Sequence, residues 1–169
     1  SFARDAEIIQ TLNNAETFGL NGLDYNFDIQ NVIQRKDEVV SSLRSGIETL
    51  LSHPNITLVK AEAKFVDAHT VMAAGEEYTA PHIVIATGSV PKALRLDEPA
   101  SRRVLDSSDL LSIDHLPERL CVIGAGVIGM EFASIFNAFG SEVTVVEFLK
   151  ECLPVLDADI AKRLRKSLE

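Results

Sequence analysis

A glycine-rich turn framed by apolar segments limits what this chain can fold into more than any other feature. Gly124-Ala125-Gly126-Val127-Ile128-Gly129 follows the apolar run Leu120–Ile123 and opens the apolar stretch Val127–Phe139. Gly140 closes that stretch, and a second apolar run, Val143–Val146, comes next. The pattern switches from strand to helix and back to strand, the order of a βαβ unit. Such a unit implies parallel strands and a right-handed crossover. A GxGxxG by itself is a weak signal. Here Glu147 stands at the end of the second strand, 23 residues after Gly124, and the three features together form a dinucleotide-binding fingerprint on an α/β fold.

Each residue type has a physical task in that fingerprint. Gly124 permits the tight turn. Gly126 has no Cβ, so its backbone can approach a pyrophosphate at the helix N-terminus, where free N–H groups and the helix dipole favour negative charge. Gly129 lets the helix pack closely on the sheet. Ala125, Val127 and Ile128 complete the turn. Glu147 is suited to accept hydrogen bonds from the adenine ribose hydroxyls and to repel a 2′-phosphate. The following Phe148 and Leu149 supply no arginine for NADP, so NAD is expected. The competing reading is a glycine turn that only packs a helix on a sheet. Glu131, expected in the first turn of the helix, is by position alone an acid favoured by the positive helix end.

The remainder of the chain reads as helices followed by short strands. Residues 4–18 carry Ala6, Ile9, Leu12 and Ala15 at three-residue spacing, with Gly19 as a stop. Asp28 can cap a second helix whose apolar stripe is Val39, Val40, Leu43, Ile47, Leu50 and Leu51, ending at His53-Pro54. Ile56–Val59, Lys64–Val66, Thr70–Ala73 and Glu76–Thr79 are expected strands, with Gly75 in a turn. His82–Ala86 is an expected buried strand ending at Thr87-Gly88-Ser89. That end offers backbone N–H groups and two hydroxyls at a carboxyl edge, as a ligand site or as a plain turn. Residues 90–117 form an expected linker with one helical candidate, Ser108–Leu111.

Composition excludes several classes. With 25 acidic and 16 basic residues the formal charge is −9, which argues against nucleic acid, since phosphate binding needs clustered cations. The basic group Lys162, Arg163, Arg165, Lys166 is too short to overturn this. No apolar run approaches the roughly 18–20 residues that cross a bilayer. His53, His69, His82 and His115 are scattered, and no metal site is expected. Cys121 is expected as a small buried hydrophobe. Cys152 lies in a loop without an activating neighbour. Two cysteines suit a reducing setting, the cytoplasm or an organelle matrix. Ile29 and His82, four residues after Tyr25 and Tyr78, exclude a TyrxxxLys dehydrogenase pair. The chain opens at Ser1 without methionine and stops inside a helical pattern, so a piece of a longer protein is expected.

Three runs taken in order carry a resemblance: Ala80–Pro91, Leu116-Pro117-Glu118 and Val122–Ser134. They resemble the flavoprotein disulfide reductases, the pyridine nucleotide-disulfide oxidoreductases, and the likeness covers essentially the whole chain. It implies that 1–119 is the later part of an FAD-binding Rossmann-like domain and 120–169 the first βαβ unit of an NAD-binding Rossmann domain. It implies FAD and NAD as cofactors, with Thr87, Gly88 and Ser89 close to the flavin. Ala63 would meet the adenine end of FAD through its backbone, where the family usually has glycine or another small residue, so alanine is a mild departure. Glu131 matches the family's acid near the nicotinamide, and Glu147 the acid that favours NAD. The family's redox CxxxxC pair, its upstream GxGxxG and its later His–Glu pair have no match here, so no residue of this chain is expected to be catalytic. The implied substrate is a dithiol, free or carried on a lipoyl domain, and the intact family member is a homodimer. A non-catalytic dinucleotide-binding module is the alternative from another class.

Overall fold

The structure is a computed structural model that describes residues 1–92 and 104–168. The chain divides into two compact units, Ser1–Val39 with Arg95–Glu169, and Val40–Leu94. Residues 93–103 of the expected linker lie outside the described residues.

In the first unit, α1 (Phe2–Asn13) buries Phe2, Ala6 and Ile9, whose spacing of four and three puts them on one helical face. A 3-10 turn, Ala15–Phe18, follows and ends at Gly19 in the left-handed conformation, so the expected helix breaks once at Asn14. α2 (Ile29–Leu51) is capped by Asp28, whose Oδ1 accepts from the Gln30 N–H at 2.9 Å. Ile29 is buried with the α1 face, and Val32 and Ile33 pack against the same cluster. The α2 stripe residue Val39 is exposed, and so are Val40, Leu43, Ile47 and Leu50, which belong to the second unit. Their periodicity made a helix, but burial needs a second surface.

The second unit contains an antiparallel meander of β1 (Ala63–Phe65), β2 (Thr70–Ala73) and β3 (Glu76–Thr79). Thr70 pairs with Thr79 and Ala73 with Glu76, which leaves Ala74-Gly75 as a two-residue hairpin turn. Two expected strands do not form. Residues 56–59 and 82–86 have irregular backbone, and Val84 is 87% exposed. An apolar run of this kind becomes a strand only between neighbours that supply hydrogen bonds and cover both faces. Among the described residues nothing pairs with it.

Back in the first unit, α3 (Ser107–Leu110) sits within one residue of its expected place, and Asp106 and Asp109 form a reciprocal capping box. Then come β4 (Arg119–Ile123), α4 (Val127–Phe139) and β5 (Glu142–Val146). β4 and β5 are parallel, with Leu120 opposite Val143 and Ile123 opposite Val146. The start of β5 is fixed by two bonds, from Ser141 Oγ to the Pro117 carbonyl at 2.6 Å and from the Glu142 N–H to the Glu118 carbonyl at 2.8 Å. Phe139, at the end of α4, meets Phe2 edge-on at 5.9 Å between centroids and Phe27 at 4.8 Å. That aromatic cluster binds α1 to α4. Burial along β4 alternates, with Leu120 and Val122 partly covered and Cys121 exposed. The expectation of a buried Cys121 is thereby corrected, because period-2 alternation turns it to the open face. α5 (Ala158–Leu168) completes the unit.

Candidate functional site

The glycine turn joins the end of β4 to the start of α4, beside the end of β5. Gly124 has φ +103°, a conformation L side chains rarely adopt, and its N–H donates to the Val146 carbonyl at 2.8 Å. This bond aligns the turn with the last residue of the neighbouring strand. Ala125 is 2% exposed. Gly126 is the extended N-cap of α4, with no side chain capping it. The first-turn N–H groups of a helix have no intrahelical partner, and the dipole puts partial positive charge there. Met130 N–H to Gly126 carbonyl, 2.9 Å, begins the helical ladder.

The glycines divide by what an added methyl would meet. At Gly126 a Cβ would find no atom within 4 Å, so the space beside that backbone is open. At Gly129 a Cβ would lie 2.1 Å from the Gly124 carbonyl oxygen and 3.2 Å from Val122 Cγ1. Gly129 therefore allows the helix to approach the turn and the strand, as its spacing suggested. An open cradle at Gly126, an uncapped helix end and a nearby carboxylate fit the pyrophosphate and ribose of a dinucleotide.

Glu147 follows β5 directly and is half-buried. Its Oε2 accepts from the Ala125 N–H at 2.6 Å, and its Oε1 accepts from the Leu149 N–H at 2.8 Å. These backbone donors, Leu149 first and Ala125 second, hold its carboxyl below the usual range, so it is ionised at neutral pH. The acid was legible from its spacing. Its bond to the turn was not, because a carboxylate reaching 22 residues back leaves no trace in a linear pattern. Phe148 beside it is fully exposed.

Glu131 is the fifth residue of α4, which begins at Val127, so it lies just past the first turn where it was expected. It is exposed, and a dipole benefit fades beyond the first turn. The N–H groups of the turn and Glu147 thus come together, while Glu131 stands further along the same helix. Of the residues expected near FAD, Ala63 opens β1 opposite Ala73, and Thr87, Gly88 and Ser89 are exposed on irregular backbone. Among the described residues, no hydrogen bond joins Ala63 to that segment.

The loop after Glu147 packs beneath the turn. Cys152 and Leu153 are buried against Ala125, with Met130 and Leu164 alongside. Cys152 Sγ approaches the Ala161 carbonyl at 3.6 Å, and Arg165 Nε donates to Glu151 Oε2 at 2.9 Å. Nothing in the residue types of 151–153 announced this contact. Among the described residues, no group of three or more His, Cys, Asp or Glu side chains could hold a metal, and no helix is long and apolar enough to cross a membrane.

Comparison with known proteins adds a family pattern to this geometry. The family described as pyridine nucleotide-disulphide oxidoreductase matches residues 2–169. A dihydrolipoyl dehydrogenase of Chlamydia pneumoniae is 36% identical over 160 residues, covering 93% of this chain and 34% of the relative. The mitochondrial dihydrolipoyl dehydrogenase of Pisum sativum is 38% identical over 159 residues, 89% of this chain and 31% of its own length. Among solved structures, the HOCl-induced flavoprotein disulfide reductase RclA from Escherichia coli superposes with a TM-score of 0.76. It is 32% identical, over 99% of this chain and 35% of its own. The chain therefore spans about a third of the length of these relatives.

Proposed function

The chain belongs to the pyridine nucleotide-disulphide oxidoreductase family, and from that premise we propose that it is a fragment of an NAD-dependent, FAD-containing disulfide oxidoreductase, with dihydrolipoyl dehydrogenase as the activity. In this reading, 120–169 is the opening βαβ unit of a Rossmann NAD-binding domain and 1–119 the later part of a Rossmann-like FAD-binding domain. The observation that carries it is the glycine turn between parallel strands, with its backbone open at Gly126 and an ionised Glu147 beside it. Similarity to dihydrolipoyl dehydrogenases from several organisms supports the choice of activity. Mercuric reductase and soluble transhydrogenase are the rivals within the family.

The residues have distinct tasks. The N–H groups of Gly126, Val127, Ile128 and Gly129 take the pyrophosphate, where helix-end charge favours an anion. Glu147 accepts from the adenine ribose and disfavours a 2′-phosphate by repulsion. Glu131 lies near the nicotinamide. Ala63, Thr87, Gly88 and Ser89 line the FAD, through backbone at Ala63 and through N–H and hydroxyl groups at the other three. Bound nicotinamide dinucleotide and flavin supply the hydride and electron chemistry, and the protein orients them. The whole protein acts on a dithiol, free or on a lipoyl domain, as a homodimer in the cytoplasm or an organelle matrix. The 169 residues alone have no turnover, because they carry no CxxxxC redox pair.

A binding titration and a turnover assay of the chain test this reading. NADH should bind more tightly than NADPH, and dihydrolipoamide with NAD should give no NADH. Equal binding of both nucleotides removes the role of Glu147, and turnover removes the claim of an inactive fragment. Tight NADH binding that never requires flavin, in the chain or in any longer form of it, supports the non-catalytic module instead.

A further inference from the structure

We propose that Leu153 is a positioning residue for the dinucleotide, one jaw of a clamp that presets the phosphate-binding turn by gripping the Ala125 peptide unit. The inference rests on the dinucleotide-binding reading of the turn and assigns a role to a loop residue outside the fingerprint.

Ala125 is the residue between the first two glycines, and all its groups are held. Its N–H donates to Glu147 Oε2 at 2.6 Å. Its carbonyl accepts from the Leu153 N–H at 2.8 Å. Its methyl is buried against Cys152 and Leu153. Rotation of the Ala125 peptide planes would turn the next N–H, that of Gly126, away from the open space where an anion fits. A turn fixed in advance avoids the ordering cost that a mobile loop meets on binding.

Leu153 itself is in an unusual conformation. Its φ is +50°, rare for a residue with a branched side chain, and it precedes Pro154, which favours extended backbone in the residue before it. It is 8% exposed. Strain of this kind persists only where the surroundings over-determine it. Here the left-handed backbone presents the Leu153 N–H to the Ala125 carbonyl while the residue is buried in one cluster with Ala125 and Cys152. Glu151 is paired with Arg165 of α5 at 2.9 Å, which anchors the loop from its other side.

The clamp and simple packing make opposite forecasts for two substitutions. Leu153→Gly keeps the N–H and tolerates positive φ but removes the side chain. Leu153→Val keeps most of the apolar volume, but a β-branched residue resists this conformation. NADH affinity of the full chain, read by fluorescence titration alongside thermal unfolding, should fall less for Leu153→Gly, which keeps the N–H bond to the Ala125 carbonyl, than for Leu153→Val. It should fall by about fivefold or more for Leu153→Val, the loss of one hydrogen bond. Val binding as well as or better than Gly would overturn the clamp, because packing alone predicts that order. Amide exchange on the unmutated chain gives a readout independent of either variant's folding. The Leu153 N–H should exchange slowly, and exchange at the rate of an unprotected loop amide would also overturn the proposal. If that amide is protected and the unmutated chain binds no NADH, the dinucleotide reading fails and the positioning role fails with it.

Discussion

Two apolar runs in this chain end in glycine next to groups that can bind a ligand, and they have come out differently. Ile123-Gly124 ends a formed strand, β4, whose parallel neighbour β5 supplies the Val146 carbonyl to the Gly124 N–H at 2.8 Å. Ala86-Thr87-Gly88-Ser89 ends an apolar run that pairs with no strand among the described residues, and these four residues lie exposed. In the first case, strand, helix and partner strand lie within 28 contiguous residues, Arg119 to Val146. In the second, the run must find its neighbours elsewhere. A binding turn is formed by its supports, and only one of the two has supports close in sequence.

Substitutions can break or sharpen that contrast. The largest effect is expected from Gly129→Ala, whose Cβ would lie 2.1 Å from the Gly124 carbonyl oxygen. Backbone must shift to admit it, at about 3 kcal/mol, and both thermal stability and NADH binding should drop. An unchanged melting temperature would mean that α4 and the turn are not tightly joined. Gly124→Ala comes next. It forces φ +103° on an alanine at about 1–2 kcal/mol, and chemical denaturation should show this without a change of slope.

Acid should loosen the same turn. Glu147 has a folded pKa lowered from 4.5 by the Leu149 and Ala125 N–H groups. A lowered pKa stabilises the fold above the unfolded value, and that contribution is lost as pH falls through the folded one. The stability difference between the parent chain and Glu147→Gln should therefore be flat from neutrality down to about pH 5, then shrink below it. A difference that shrinks on the alkaline side instead would assign the wrong group.

Gly126→Ala should separate binding from folding. Its Cβ meets no protein atom, so stability should change by no more than about 0.5 kcal/mol, while NADH affinity falls because the methyl occupies the ligand's space. Equal affinity would remove Gly126 from the site. The smallest effect is expected in the other region. Val84→Thr, at a residue 87% exposed, should alter stability by under about 0.5 kcal/mol in this chain. A larger loss would show that residues 82–86 are packed after all.

What the sequence determined by itself was local. Val127–Phe139 was legible to the residue, because an apolar helix bracketed by Gly126 and Gly140 has both its period and its ends written in place. Thr70–Ala73 and Glu76–Thr79 were legible because the strands and their turn are contiguous. The glycine fingerprint and the acid at Glu147 were legible because their spacing is fixed by one βαβ unit. Tertiary structure decided everything that depends on what lies opposite. It exposed Cys121 on the open face of β4 and left the α2 stripe uncovered. It put Glu131 past the first turn of its helix and left 82–86 without strand geometry. It also brought Leu153 and Glu147 to the two sides of the Ala125 peptide. The physical reason is one of range. Periodicity and turn chemistry act between residues a few positions apart, whereas burial, strand pairing and the grip on a backbone carbonyl depend on surfaces that only the folded chain brings together.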